Sequence, residues 1–243
     1  MHLPFTKFGL PQLVIYPLIV LGLMVAVFMI LKPSWIRIPV EILLFLVLVW
    51  MLSFFRNPAR SIAADETVLF SPADGTVTDI TQADDSALGP GALRIGIFLS
   101  IFSVHINRAP CSVHIESANY KKGQYKNAML PESSRVNESN DILMVRLSEP
   151  KDKLLVRQIS GAIARHIVSE ARAGNEYRQG DPFGMIKFGS RTEIYLPIAH
   201  EQSAGESQAE NDLSYGNNKK FQVMVKIGDK VRAGLTPLIR YHI

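Results

Sequence analysis

Gly189 and Ser190 stand between two apolar, alternating runs, residues 185–188 and 192–196, and a Gly-Ser bond in that setting is either a strand turn or a self-processing site. Two upstream segments supply the partners that a serine hydroxyl needs for activation. Ser71-Pro-Ala-Asp-Gly75 brings the Asp74 carboxylate, and Ser103-Val-His-Ile-Asn-Arg-Ala-Pro110 brings the His105 imidazole. If the three converge, Asp74 orients His105, His105 takes the hydroxyl proton, and the Ser190 oxygen becomes nucleophilic. The nearest electrophile is the carbonyl of Gly189, where the missing side chain permits close approach and unusual backbone angles. Attack there turns the peptide bond into an ester. Elimination across Ser190 then cuts the chain, and hydrolysis of the resulting dehydroalanine leaves a pyruvoyl group, an electron sink toward a substrate amine. The same three side chains on an external ester would make a serine hydrolase, although the Gly-x-Ser-x-Gly elbow between strand and helix is missing.

Each of these residues also has a plainer reading. Asp74 suits a tight turn in its Pro-Ala-Asp-Gly context, and His105 and His114 suit satisfied structural histidines in β segments. Arg108, Lys187 and Arg191 are solvated charges or, if they line the site, contacts to an anionic substrate. The six histidines are scattered without carboxylate or thiol partners at ligand spacing, so no metal is expected.

The elements that must position these groups follow from composition. The formal charge of +4 lies wholly in residues 1–60, where Lys7, Lys32, Arg37, Arg56 and Arg60 face one acid, Glu41; the rest carries 21 basic and 21 acidic residues. With no basic stripe in that remainder, nucleic-acid binding is not indicated, whereas cations flanking apolar spans suit a membrane anchor. Residues 13–31 are uncharged and close to the ~20 residues that cross a bilayer as a helix. A break with two prolines, two cations and Trp35 follows, then a second apolar run over residues 40–55. The pair reads as a helical hairpin that spans the membrane or lies in its interface. A cleaved signal peptide fits poorly, because a second apolar run follows with no small-residue cleavage site. Cations at the open end outnumber those in the hairpin loop and direct the rest of the chain to the cytoplasm. The lone Cys111 rules out an internal disulfide, suits a reducing compartment and reads as a small buried hydrophobe.

From Thr67 onward, short runs rich in Val, Ile, Phe and Thr alternate with turn residues, which predicts a β-rich α+β domain over residues 61–243 behind an anchor over residues 1–60. Strands are expected near residues 67–70, 76–80, 93–100, 112–116, 142–147, 154–159, 185–188, 192–196 and 221–227. A helix is expected over residues 162–172, started by Ser160-Gly161. Residues 120–140 read as a long functional loop and residues 200–219 as a polar, disordered insertion. The turn in Lys226-Ile-Gly-Asp-Lys-Val-Arg-Ala-Gly234 and the segment Ser71-Pro-Ala-Asp-Gly-Thr-Val77 resemble lipoyl- and biotinyl-type barrel-sandwich domains. No lysine has the setting of a cofactor-accepting lysine, so kinship of fold is implied and attachment is not. A membrane-anchored, lipoyl-like binding module that never cuts itself is the competing reading from another class.

Five motifs in order, Phe70-Ser-Pro-Ala-Asp-Gly-Thr-Val77, Phe98-Leu-Ser-Ile-Phe-Ser-Val-His-Ile-Asn-Arg-Ala-Pro110, Lys122-Gly-Gln-Tyr-Lys126, Gly180-Asp-Pro-Phe-Gly-Met-Ile-Lys-Phe-Gly-Ser-Arg191 and Gly228-Asp-Lys-Val-Arg-Ala-Gly234, resemble the phosphatidylserine decarboxylases, in particular their short, membrane-anchored bacterial and archaeal branch. The resemblance implies a proenzyme that cuts between Gly189 and Ser190 into a β chain, residues 1–189, and an α chain, residues 190–243, which remain together as a heterodimer. It implies a pyruvoyl group from Ser190 that condenses with the amine of phosphatidylserine, or of a related serine-headgroup lipid such as archaetidylserine, and phosphatidylethanolamine as the product of the former. His105 is implied at the substrate carboxylate or at reprotonation, and Asp74 in self-cleavage. Where many longer relatives carry two histidines three residues apart, this chain has His105 and Arg108. Either one imidazole serves cleavage and turnover, or cleavage uses another base, and the Arg108 guanidinium is suited to the lipid phosphate.

Overall fold

The computed structural model describes residues 4–130, 132–162, 166–187, 189–198 and 220–242. The chain divides into two compact units, one of residues 1–59 with residues 101–104, the other of residues 60–100 with residues 105–243.

The first unit is a helical hairpin. Helix α1 is Leu10–Ile30 and helix α2 is Ser34–Phe54. At 1.5 Å per residue, each 21-residue helix is about 30 Å long, the thickness of a bilayer core. Both are long and apolar enough to cross a membrane, and their apolar side chains point outward, with Leu18, Phe28, Ile30, Phe45 and Leu46 all exposed. The linker is shorter than the sequence suggests, because Pro33 caps α2 and Pro39 is absorbed into its second turn. The open end is pinned by backbone bonds from the Thr6 N–H to the Phe55 carbonyl (2.9 Å) and from the Asn57 N–H to the Pro4 carbonyl (2.7 Å). Gly9 is obligatory there, since a Cβ would stand 2.2 Å from the Phe55 ring.

The second unit is β-rich. Strands β1 (Val68–Phe70), β2 (Gly75–Asp85), β3 (Gly89–Leu99), β4 (Ile106–Arg108), β5 (Val113–Lys121), β6 (Ser139–Arg146), β7 (Lys153–Ile159), β8 (Ile167–Ser169), β9 (Glu176–Tyr177), β10 (Pro182–Ile186), β11 (Ser190–Leu196), β12 (Phe221–Val223), β13 (Lys230–Val231) and β14 (Pro237–Tyr241) form three sheets. The largest has the order β13-β2-β3-β11-β7-β6-β5-β9; β1-β14-β12 and β4-β10-β8 are three-stranded. Among the described residues the large sheet does not close on itself, so the architecture is β-rich with N-terminal apolar helices and no closed barrel. Alternation decides what each face buries. Leu93, Ile95, Ile97 and Leu99 of β3 and Ile194 and Leu196 of β11 enter one core with Phe183 of β10 and Ile239 of β14. Arg191, Glu193 and Tyr195, the odd positions of β11, point to the other face, where Tyr195 packs with Leu143 and Leu155.

Two expectations change. Residues 167–169, expected within a helix, form β8, whose backbone pairs with β10 (Met185↔Val168, Ile186↔Ile167); residues 163–165 of that span lie outside the described residues. The β-branched pair Ile167-Val168 found a strand partner, and tertiary pairing outweighed local propensity. Residues 120–140 are not one loop, since β5 continues to Lys121 and pairs Tyr120↔Asn140 and Lys121↔Ser139 with β6. A short helix α3 (Ser133–Val136) follows within the span. The strand expected over residues 112–116 runs on to Lys121; Tyr120 and Lys121 face solvent, where no apolar alternation is needed. The polar stretch 200–219 lies outside the described residues.

Candidate active site

Ser190 opens β11 opposite Leu99 of β3. Its even position turns it to the same side as Thr192 and Ile194. Gly189, just before it, has φ +64°, a left-handed conformation that glycine adopts without penalty. His105 immediately precedes β4, and its carbonyl accepts the Ile186 N–H (3.3 Å) where β4 and β10 run antiparallel. That pairing carries the imidazole to the β10–β11 junction. The Gly189 N–H donates to His105 Nε2 at 3.3 Å, and both His105 and Ser190 are fully buried. As an acceptor at Nε2, the imidazole is unprotonated on that nitrogen and stands next to the Gly189–Ser190 bond. Ser190 Oγ is buried and has no hydrogen-bond partner among the described residues. Leaving a buried hydroxyl unpaired costs about 1–3 kcal/mol, so the position calls for an explanation, and a catalytic role is one of those open to it.

Residues without an obvious chemical signal complete the setting. Gly161 lies against the Gly189 carbonyl: a Cβ at 161 would stand 2.0 Å from the Gly189 oxygen and 3.1 Å from its carbon. Residues 160–161 are held by Asn137, whose Nδ2 donates to the Ser160 and Lys126 carbonyls (2.8 Å each) and whose Oδ1 accepts the Lys126 N–H. Beside them a buried amide chain runs from Thr192 Oγ1, which accepts from Asn107 Nδ2 (2.9 Å), through Asn107 Oδ1 and Gln158 Nε2 (2.9 Å) to Gln158 Oε1 and Asn140 Nδ2 (3.0 Å). Asn107 sits two residues after His105 and Thr192 two after Ser190, so strand alternation was the available signal for both. Gly161 left none, since its role depends on the fold bringing residue 189 to it.

The remaining expected site residues fall into two groups. Asp74 makes a bidentate pair with Arg60 (2.7 Å to each oxygen) and accepts the Ala233 N–H (2.8 Å), while Arg60 also donates to the Ala233 carbonyl. Arg108 is close to this pair: burial first, then the Arg60 charge, pull its pKa below the usual arginine value, against Asp74 and Asp181. It donates to the Gly180 carbonyl at 2.9 Å. Arg60, which composition assigned to the anchor, therefore joins a guanidinium cluster with Arg108. Lys187 is largely buried, and desolvation lowers its pKa.

Arg191 has a different setting from the substrate contact expected of it. It is fully buried on the opposite face of the sheet from Ser190, donating to Glu193 (2.7 Å), Thr78 (2.8 Å) and Asp79. Strand alternation is the reason, since one residue past Ser190 must point the other way. Burial works to raise the Asp79 pKa, but the Arg191 charge and hydrogen bond, the Thr78 hydroxyl and Arg94 outweigh it and hold the carboxyl below the ordinary value. A depressed carboxyl pKa stabilises the fold fully above its unfolded value, about 3.9, and the gain is lost as pH falls through the folded value. Urea unfolding midpoints are therefore expected to hold from pH 7 to pH 5 and to drop by pH 3. Asp79→Asn, weaker at pH 7 by about 3 kcal/mol, should change less across the acid window; an equal acid drop in both proteins would remove Asp79 from the account.

Comparison with known proteins gives the family. The profile of the family described as phosphatidylserine decarboxylase matches residues 47–238. The phosphatidylserine decarboxylase proenzyme of Rhodopirellula baltica is 34% identical over 240 residues, covering 99% of this chain and 89% of its own. That of Carboxydothermus hydrogenoformans is 38% identical over 200 residues, 82% of this chain and 83% of its own, and that of Rickettsia akari is 39% identical over 158 residues, 63% and 68%. With most of its length matched, including every segment that builds the site around Ser190, the chain belongs to the phosphatidylserine decarboxylase family.

Proposed function

We propose that this chain is a phosphatidylserine decarboxylase that generates its own pyruvoyl group by cutting between Gly189 and Ser190, and that it supplies phosphatidylethanolamine to the membrane. The observation that carries the reading is the Gly189 N–H bonded to His105 Nε2 beside a buried Ser190 hydroxyl that has no partner among the described residues. His105 takes the Ser190 Oγ proton, Oγ bonds to the Gly189 carbonyl carbon, and the bond from that carbon to the Ser190 nitrogen breaks, leaving an ester and a free amine. Loss of the Ser190 Hα then breaks its Cβ–Oγ bond and releases Gly189 as a carboxylate. Water replaces the α-nitrogen of the dehydroalanine, and ammonia leaves. The products are a β chain of residues 1–189 and an α chain of 54 residues, 190–243, held together by the β3–β11 and β11–β7 ladders.

The pyruvoyl carbonyl supplies the electron sink that decarboxylation of a substrate amine requires. The protein's own residues do the rest. His105 stays at the start of β11 to face the substrate carboxylate or return a proton to carbon, Arg108 with Arg60 and Asp74 holds the headgroup phosphate, and Lys187 adds a cation at the buried entrance to β11. Asp74 in this reading acts through Arg60, which it clamps. The hairpin anchors the enzyme in the bilayer that holds its substrate, and the cations Lys7, Arg56 and Arg60 toward its open end, against Lys32 and Arg37 in its loop, support a cytoplasmic catalytic part. The turns at Ser71–Gly75 and Gly228–Asp229 support kinship with lipoyl-type barrel-sandwich hairpins.

Intact mass of the purified protein, with turnover of phosphatidylserine in vesicles, tests the proposal. Two chains that part after Gly189, the smaller without a free amino terminus, are expected together with carbon dioxide release. A single uncut chain with no turnover would sink it. His105→Ala is expected to slow the cut by about 10²- to 10⁴-fold, the usual worth of a general base; an unchanged rate would assign that role elsewhere.

A further inference from the structure

Residues 101–104 connect β3 to His105, yet they group with the helical hairpin and not with the sheets. The link is specific. Arg56, two residues past the end of α2, donates from Nη2 to the Phe102 carbonyl at 2.8 Å and from Nη1 to the Ser53 carbonyl at 2.8 Å and its hydroxyl at 3.1 Å. One guanidinium thus ties the last turn of a membrane-length helix to the loop. The Phe102 side chain is 69% exposed, a costly state for a large aromatic in water.

We propose that the loop of residues 101–104 docks on the lipid interface at the open end of the hairpin, with the Phe102 ring inserted among the headgroups and upper acyl chains. The occupant follows from what surrounds the loop. Helix ends of this length lie at the headgroup level, and aromatic residues are favoured at both boundaries of a span. At the closed end Trp35 is 76% exposed, and at the open end Phe102 is its counterpart. The cations Lys7 and Arg56 flank the open end, as an anionic lipid surface demands, while a protein partner would find the same surface already taken up by the bilayer around α1 and α2. His105 lies three residues after Phe102, a tether of at most about 11 Å, so seating the ring in lipid limits how far the His105 backbone can stray from the interface. Phosphatidylserine can then reach the site laterally, without its chains leaving the bilayer. This last step rests on the decarboxylase reading; the lipid contact does not.

The test uses the full chain reconstituted in vesicles. With Trp35 and Trp50 replaced by Phe, Phe102→Trp provides a single reporter, and lipids brominated just below the headgroup should quench its emission while aqueous iodide should not. Quenching by iodide alone would overturn the proposal. In parallel, Phe102→Ser should cut itself normally and turn over a soluble short-chain phosphatidylserine within about twofold of the parent, yet lose about tenfold on vesicle substrate, the scale of one buried aromatic. Equal loss on both substrates would also overturn it. Bromolipid quenching in a protein that decarboxylates neither substrate would leave the lipid contact supported and remove the decarboxylase reading instead.

Discussion

Ser190→Ala is expected to purify as one uncut chain of 243 residues, without decarboxylase activity, and to be at least as stable as the uncut parent. The first part follows from chemistry, because alanine has no oxygen to attack the Gly189 carbonyl and no Cβ–O bond to break. The second follows from the site. Ser190 Oγ is buried and has no partner among the described residues, so its removal orphans no other group and relieves a desolvated hydroxyl; deleting an unsatisfied polar atom is neutral or favourable, unlike deleting half of a made pair. The ladder to Leu99 uses backbone only and is untouched. Mass spectrometry and a thermal melt on the same preparation decide both parts. A variant that still splits would place the nucleophile elsewhere, and one that melts well below the uncut parent would mean that Ser190 has a structural partner.

The second large effect is expected from a residue with no functional group. Gly161→Ala should slow the cut by about a hundredfold or more, the scale on which an ångström of misplacement costs a pre-organised reaction. The added Cβ would stand 2.0 Å from the Gly189 carbonyl oxygen, far inside contact distance, and the carbonyl must turn away from its position relative to Ser190. The Gly161 backbone is not in the left-handed region, so alanine suits the local conformation and the obstacle is the Gly189 carbonyl itself. Ser190→Ala supplies the reference: both proteins stay uncut, and comparable near-ultraviolet circular dichroism with melting points a few degrees apart would locate the defect in the reaction. Cutting at the parental rate would show that the carbonyl tolerates the shift and that Gly161 is only a packing residue.

Much of this protein was legible before any coordinates. Two apolar runs separated by prolines and cations read as a pair of long apolar helices, and short β-branched runs between turn residues as strands of sheets; helix length and strand alternation are local properties, readable one segment at a time. The Gly189-Ser190 pair and His105 were legible for a different reason, since reactive side chains advertise their chemistry by type. The sequence by itself therefore determined the class of the chain, its two long apolar helices and the candidate site residues.

What it did not determine depends on partners distant along the chain. Whether residues 167–169 coil or extend was decided by the free edge of β10. Arg191, adjacent to Ser190 in sequence, was turned to the far face by alternation and paired with Asp79 and Glu193, while Arg60, from outside the expected domain, was drawn to Asp74. Gly161 acquired a role only because the sheets carry residue 189 against it. Side-chain chemistry belongs to the residue, but burial, charge pairing and the direction in which a carbonyl points belong to the packing of segments that sequence order keeps apart.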